Sequence, residues 1–173
     1  MKLIEGMKTL RVIQKRIQQN AERINEYAAI VSTEKPTYGS ELEQRKQVES
    51  LIQSNLDLSR EYLNLKKTID YTNLMTKVTI GKDTFSISDL LQIRRNIANL
   101  MIGTFDALNE RKAEARLLRI KAITSDKAPR IERMYDENTK FEGLQYWQGL
   151  KDEIEIRLEV INATTELLDV PQG

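Results

Sequence analysis

Two groups of residues carry the chemistry open to this chain. The first is acidic: Glu153, Glu155, Glu159 and Glu166 follow one another at short intervals. Clustered carboxylates can act as general acid and base or hold a metal, but the helical di-metal pattern needs a Glu-x-x-His partner. The chain has no His and no Cys. The imidazole base, the thiol nucleophile, the disulfide and the Cys/His zinc site are excluded together. Neither phosphate cradle occurs, whether Gly-x-x-x-x-Gly-Lys-Ser/Thr or Gly-x-Gly-x-x-Gly. Carboxylates at this density read as a solvated helix face, so no catalytic residue, metal ligand or cofactor is expected and the chain is read as a non-enzyme.

The second group suits binding. Arg94 and Arg95 are adjacent, and the polar motifs Tyr71-Thr72-Asn73 and Asn162-Ala163-Thr164-Thr165 fall at expected helix ends. There, backbone groups are unpaired and side-chain hydroxyls and amides can reach a ligand. Guanidinium and hydroxyl donors match phosphate oxygens. The candidate ligand-binding residues are therefore Arg94, Arg95, Tyr71, Asn73, Asn162, Thr164 and Thr165, and the ligand class is a small, anionic, nucleotide-like molecule. The competing role is structural, with Asn and Thr as caps and Arg in salt bridges between subunits. Arg111, Lys112, Arg116, Arg119 and Lys121 read as a cationic helix end that complements the dipole.

Composition says what kind of elements must position these groups. The 173 residues include 27 Lys+Arg and 26 Asp+Glu, a net charge of +1. That balance argues against a nucleic-acid partner held by bulk electrostatics. Charged residues make up 31%, above the roughly 25% of ordinary domains. With only three Pro and seven Gly, this points to long, solvated helices. The apolar share of 40% can fill one core if the helices share it. No apolar run approaches the roughly 18 residues of a membrane span, and Met1 to Lys8 lacks a signal-like apolar stretch. A cytoplasmic protein without stable membrane insertion is expected.

Leu3, Leu10, Ile17, Ile24 and Val31 recur at heptad spacing, with Met7, Gln14, Ala21 and Ala28 four residues after them, which predicts a helix over 1–31. A second helix is predicted over 41–74. Its seam rows are Leu51, Leu58 and Leu65, and Val48, Asn55, Tyr62 and Ile69, widened by Ile52, Leu56 and Leu63. Pro36 and Gly39 break the chain between them, and so short a link makes the helices antiparallel. A turn near Thr37 and Tyr38 sets Leu3 opposite Thr72, Leu10 opposite Leu65, Ile17 opposite Leu58 and Ile24 opposite Leu51. It also sets Ala21 near Asn55 and Gln14 near Tyr62.

Period-two alternation around Gly81-Lys82-Asp83 predicts a β-hairpin over 76–87. A third helix is expected over 88–123, with Gly103 marking a close contact or a bend. A short strand is expected over 130–135, a turn over Asp136 to Thr139, and a last helix over 142–168 with Trp147 in its core face. The fold class is mainly α: one domain over 1–173, a long antiparallel, coiled-coil-like helical hairpin plus two further helices and a small β-hairpin. The apolar faces of the second and third helices exceed what one hairpin partner covers, which predicts a homo-oligomer.

The opening Met1-Lys2-Leu3 helix, Ile69-Asp70-Tyr71-Thr72-Asn73-Leu74 before the hairpin, Ser88-Asp89-Leu90 leading to Arg94-Arg95, and the closing Ile161-Asn162-Ala163-Thr164-Thr165-Glu166-Leu167 together resemble the septicolysin-labelled family of small helical bacterial and phage proteins of unknown function. Members typically carry Trp before the paired Thr, where this chain has Ala163. The resemblance implies a helical hairpin with a small β element and oligomerisation. On that architecture the helix ends, hairpin and Arg pair would line a subunit interface, as in a phage-type sponge that sequesters an immune signal. A structural or protein-binding coiled-coil assembly is the alternative. The family's toxin label implies a third, membrane-active reading, for which this chain has neither a membrane segment nor Cys.

Overall fold

Residues 1–121 and 129–171 are described by a computed structural model, and the chain is mainly α. It divides into two compact units, Met1–Ser86 with Val160–Gly173, and Ile87–Glu159, where one domain is expected from the sequence. Each unit has its own buried apolar set. In the first it is Leu3, Leu10, Ile13, Leu51, Ile69 and Ile80, and in the second Ile87, Leu90, Ala98, Ile154 and Leu158.

The first unit is the helical hairpin, α1 (Leu3–Tyr27) and α2 (Glu41–Met75). At the start of α1 the Glu5 carboxylate accepts the Lys2 amide at 2.8 Å. At the start of α2 the Ser40 hydroxyl accepts the Glu43 amide at 3.2 Å, each satisfying a donor that the helix leaves unpaired. The register follows the expected pairing: Gln14 Nε2 donates to Tyr62 Oη at 3.2 Å, and a Cβ on Gly6 would lie 3.3 Å from Ile69 Cδ1.

The second row of the α1 seam differs from the expected one. Gly6, Leu10 and Ile13 are buried and Asn20, Ile24 and Tyr27 half-buried, whereas Gln14, Ala21 and Ala28 are exposed. The complementary row thus lies three residues after the leucine row, and Asn20 takes the place expected of Ala21 opposite Asn55. The helix also ends at Tyr27, short of Val31, because the buried Gln44 side chain binds the chain as it leaves. Gln44 Nε2 donates to the Tyr27 carbonyl at 3.0 Å and its Oε1 accepts the Thr37 amide at 2.9 Å.

After α2 the chain forms β1 (Lys77–Ile80) and β2 (Asp83–Ser86), antiparallel, with Val78 paired to Phe85 and Ile80 to Asp83. Only Gly81 and Lys82 make the turn, so Asp83 belongs to the strand. Gly81 has φ of 60°, the conformation that the first position of a tight type II′ turn requires.

The second unit opens with a helix in three parts: α3 (Ile87–Gln92), a π turn (Ile93–Ile97) and α4 (Ala98–Asp106). The expected helix to residue 123 stops at Asp106. The Asn109 side chain donates to the Asp106 carbonyl at 2.8 Å and accepts the Arg111 amide at 3.2 Å, starting a new helix, α5 (Arg111–Lys121). The expected end at 123 lies outside the described residues. Gly103 is exposed and its missing Cβ would touch nothing within 4 Å, so it is neither a close contact nor the distortion, which sits at the π turn. The close approach is at Gly143, where a Cβ would stand 2.3 Å from the Phe105 ring.

No strand forms over 130–135, because the described residues of this unit include no strand to pair with. Arg133 instead bonds Glu110 at 2.6 Å, with its guanidinium 5.5 Å from the Tyr135 ring centre. The last helix, α6 (Glu137–Thr164), starts five residues before the expected 142. Asp136 Oδ2 accepts both the Thr139 amide at 2.8 Å and its hydroxyl at 3.0 Å, an N-cap rather than a turn. The helix ends before 168 because residues 165 to 167 pair with the N-terminal segment: the Leu3 amide donates to the Thr165 carbonyl and the Leu167 amide to the Met1 carbonyl, both at 2.9 Å.

Two measurements check this architecture. Ile13→Ala should cost about 2 to 5 kcal/mol in urea unfolding while Val12→Ala stays within about 0.5 kcal/mol, since Ile13 is 2% exposed and Val12 49%. The amide and hydroxyl of Thr139 hold the Asp136 carboxyl below its ordinary pKa. Its contribution to stability is therefore present above the ordinary aspartate value of about 3.9 and lost as pH falls through the lowered native value. Asp136→Asn, which still caps but does not titrate, should flatten that acid limb in a pH series of melting temperatures.

Candidate functional site

The seven candidate residues fall in both units. In the first, Tyr71 and Asn73 occupy the last turns of α2, and Asn162 and Thr164 the last turn of α6, with Thr165 just beyond it. What brings these two ends together is the residue between Tyr71 and Asn73. Thr72 is fully buried; its hydroxyl donates to the Thr68 carbonyl at 2.8 Å and accepts the Leu168 amide at 2.9 Å. Thr72 thus holds the segment after α6 against α2. Leu167 joins the same cluster, its Cδ1 lying 3.1 Å from where a Gly6 Cβ would be. Glycine lets the three segments approach there.

One hydroxyl expected to face a ligand, that of Thr164, bonds back along its own helix instead. Thr164 is exposed, but its hydroxyl donates to the Val160 carbonyl at 2.8 Å, the common back-bond of a helical Thr. Thr165 contributes its carbonyl to the pairing with Leu3. Tyr71 and Asn162 are half-buried. Asn73 is the exception: its side-chain Oδ1 is buried without a hydrogen-bond partner among the described residues. A lone buried acceptor calls for a donor, which is the opposite of a phosphate's need.

Arg94 and Arg95 belong to the second unit and lie on the π turn. The turn is defined by the Ala98 amide reaching back five residues to the Ile93 carbonyl, and such single turns are frequent at functional sites. Arg94 has a side chain 28% exposed and stands 3.8 Å from Glu155 on α6. One turn on, Lys151 Nζ donates to Asn99 Oδ1 at 2.9 Å. Arg95 is exposed and has no carboxylate within salt-bridge distance among the described residues.

Further polar residues escape the sequence-based set. Asn20 Nδ2 donates to Asn55 Oδ1 at 2.9 Å, and Asn55 Nδ2 donates to the Ile17 carbonyl at 3.2 Å, a polar layer inside the seam. Asn55 stands in the expected seam row, but Asn20 does not, because its row is the one that the heptad spacing misses. Gln44 has no signal in the sequence, since only the bent chain brings Tyr27 and Thr37 to it. Beside it, Tyr27, Ile30, Glu41, Arg45 and Val48 line an open cleft of about 350 Å³, with an acid and a base at its rim. Among the described residues no three acidic side chains converge as a metal site, and no helix is long and apolar enough to cross a membrane.

Comparison with protein families, with curated proteins and with solved structures finds no match to this chain in any of the three.

Thr72 is the residue whose loss should open the cluster. Thr72→Val keeps its shape and leaves the Leu168 amide without a partner, a cost of about 1 to 3 kcal/mol in denaturant unfolding. Thr72→Ser, which retains the hydroxyl, should lose less.

Proposed function

We propose that this protein is a non-enzymatic, cytoplasmic assembly protein, a homo-oligomer joined through helix faces that its own fold leaves open. The observation that carries this reading is large apolar side chains left exposed at helical spacing. In the first unit Ile52, Leu56 and Leu63 are 45%, 49% and 57% exposed along α2. In the second, Ile97 and Leu100 on one helix and Ile156 on another are likewise exposed. Contiguous apolar surface of this kind marks an interface more often than a free surface.

A small anionic ligand is the second reading, and Arg95 is the observation in its favour: a guanidinium on a π turn with no carboxylate partner among the described residues, beside the half-buried Arg94. The other five candidates lend it less support, because the Thr164 hydroxyl and the Thr165 carbonyl already have partners within the chain.

Sedimentation velocity at micromolar concentration should give a species larger than the 20.1 kDa chain, and a species of that mass alone rejects the assembly reading. A thermal-shift screen of the same preparation against cyclic nucleotides and ADP-ribose-type molecules tests the second reading. A shift that Arg95→Ala reduces by about ten- to a hundredfold in affinity supports a ligand there, and no shift in the panel removes it.

A further inference from the structure

We infer that α2 carries a second heptad face that pairs, antiparallel and two-fold symmetric, with the same face of a second copy of this chain. The inference rests on the homo-oligomer reading above and names the surface and its register. The first seam of α2 packs on α1. The residue that follows each seam position forms another row with the same alternating three- and four-residue spacing, turned about 100° around the helix. Its centre is Ile52, Leu56, Ser59 and Leu63, and all but Ser59 are exposed. One end carries Arg45 and Glu49, the other Lys66 and Asp70.

The order of these residues is self-complementary. Rotate a second α2 by half a turn about an axis midway between Leu56 and Ser59, and Ile52 meets Leu63 of the second copy while Leu56 meets its Ser59. The same operation, with nothing further adjusted, sets Arg45 against the second copy's Asp70 and Glu49 against its Lys66. Every charge in the row then faces its opposite, twice over by symmetry. Arg45 and Glu49 are exposed and have no ion-pair partner among the described residues, and Lys66 and Asp70 pair only with each other along the same helix. Next to Leu63, the groove between α1 and α2 opens into an apolar cleft of about 350 Å³ lined by Gln14, Ile17, Ser59, Tyr62 and Leu63. Ile52 of the second copy stands over that cleft in this register, as a knob over a hole. A parallel pairing would instead oppose like charges at each of the four charged positions.

The chain has no Cys, so introduced thiols report this register directly. In Ile52→Cys/Leu63→Cys, oxidation should produce a disulfide-linked dimer on a non-reducing gel. Ile52→Cys alone should give none, because antiparallel pairing holds the two copies of residue 52 about 16 Å apart. In sedimentation, Glu49→Lys should weaken self-association about tenfold, and Glu49→Lys/Lys66→Glu should restore it. Leu56→Lys should abolish association with its circular dichroism unchanged. Wild-type protein that stays at the monomer mass throughout overturns this proposal and the assembly reading together. An oligomer that ignores Leu56→Lys and forms no double-cysteine cross-link overturns this face alone, as does a cross-link through the single cysteine.

Discussion

Nearer the loop than the open end of the hairpin, Asn20 donates to Asn55, and Asn55 donates in turn to the Ile17 carbonyl. On this layer the register of the first unit depends. Leucine and isoleucine rows alone would tolerate a slip by one heptad, since apolar contacts have no direction. A half-buried amide pair does not tolerate it, because a slip would leave donors and acceptors without partners. Once the layer is fixed, Gly6 falls opposite Ile69 and Gln14 opposite Tyr62. Gln44 comes level with the end of α1, where it stops the helix at Tyr27 and anchors the loop. The buried Thr72 also arrives at the level of the N-terminal segment, where the chain after α6 is received.

The two units hold α6 by different means. In the second, Ile154 and Leu158 are buried one turn apart, and the polar contacts to the helix of the π turn lie beside them: Arg94 to Glu155 and Asn99 to Lys151. In the first, the end of the same chain segment is held by backbone pairing to Met1 and Leu3 and by the Thr72 hydroxyl. Side-chain packing tolerates small shifts along a helix, whereas two amide-to-carbonyl bonds and a buried hydroxyl fix residues 165 to 168 in one place. This explains why so polar a motif as Asn162-Ala163-Thr164-Thr165 closes the helix. The Thr164 hydroxyl and the Thr165 carbonyl serve the chain's own joints.

How much of this is legible in the sequence depends on whether a contact is periodic. The rows of α2 are, and so are the antiparallel pairing and the β-hairpin, whose turn glycine is visible as such. The second row of α1 is hidden because three of its four members, Gly6, Asn20 and Tyr27, are not aliphatic, so the row with Met7 and Ala21 looks the more apolar. The strand expected over 130–135 shows the converse: Ile131, Arg133 and Tyr135 alternate, but alternation makes a strand only where another edge accepts its hydrogen bonds. Asp136 was readable as a cap from Thr139 three residues on. The candidate site was the least legible part. Residue type and helix-end position do mark Thr164, Thr165 and Asn73, but whether such a hydroxyl faces a ligand or its own backbone is decided by segments far apart in the chain. Thr72 and Leu168 meet across 96 residues.

In the proposed pairing, the exposed row of α2 makes an open apolar face selective. Three large apolar side chains in line are enough to draw helices together in any orientation, since burial rewards area rather than direction. The charges at the two ends of the row supply what burial lacks. Reading from Arg45 to Asp70, the signs run plus, minus, then apolar, then plus, minus. That order is opposed by itself in parallel and matched by itself in reverse. Like charges set face to face destabilise by more than matched pairs stabilise, because each then loses solvent without gaining a partner. The ends of the row thus act mainly by rejecting the wrong orientation. A near-neutral chain with 31% charged residues can carry such a device at no cost in net charge, provided that both signs occur at each end of the helix, as they do here.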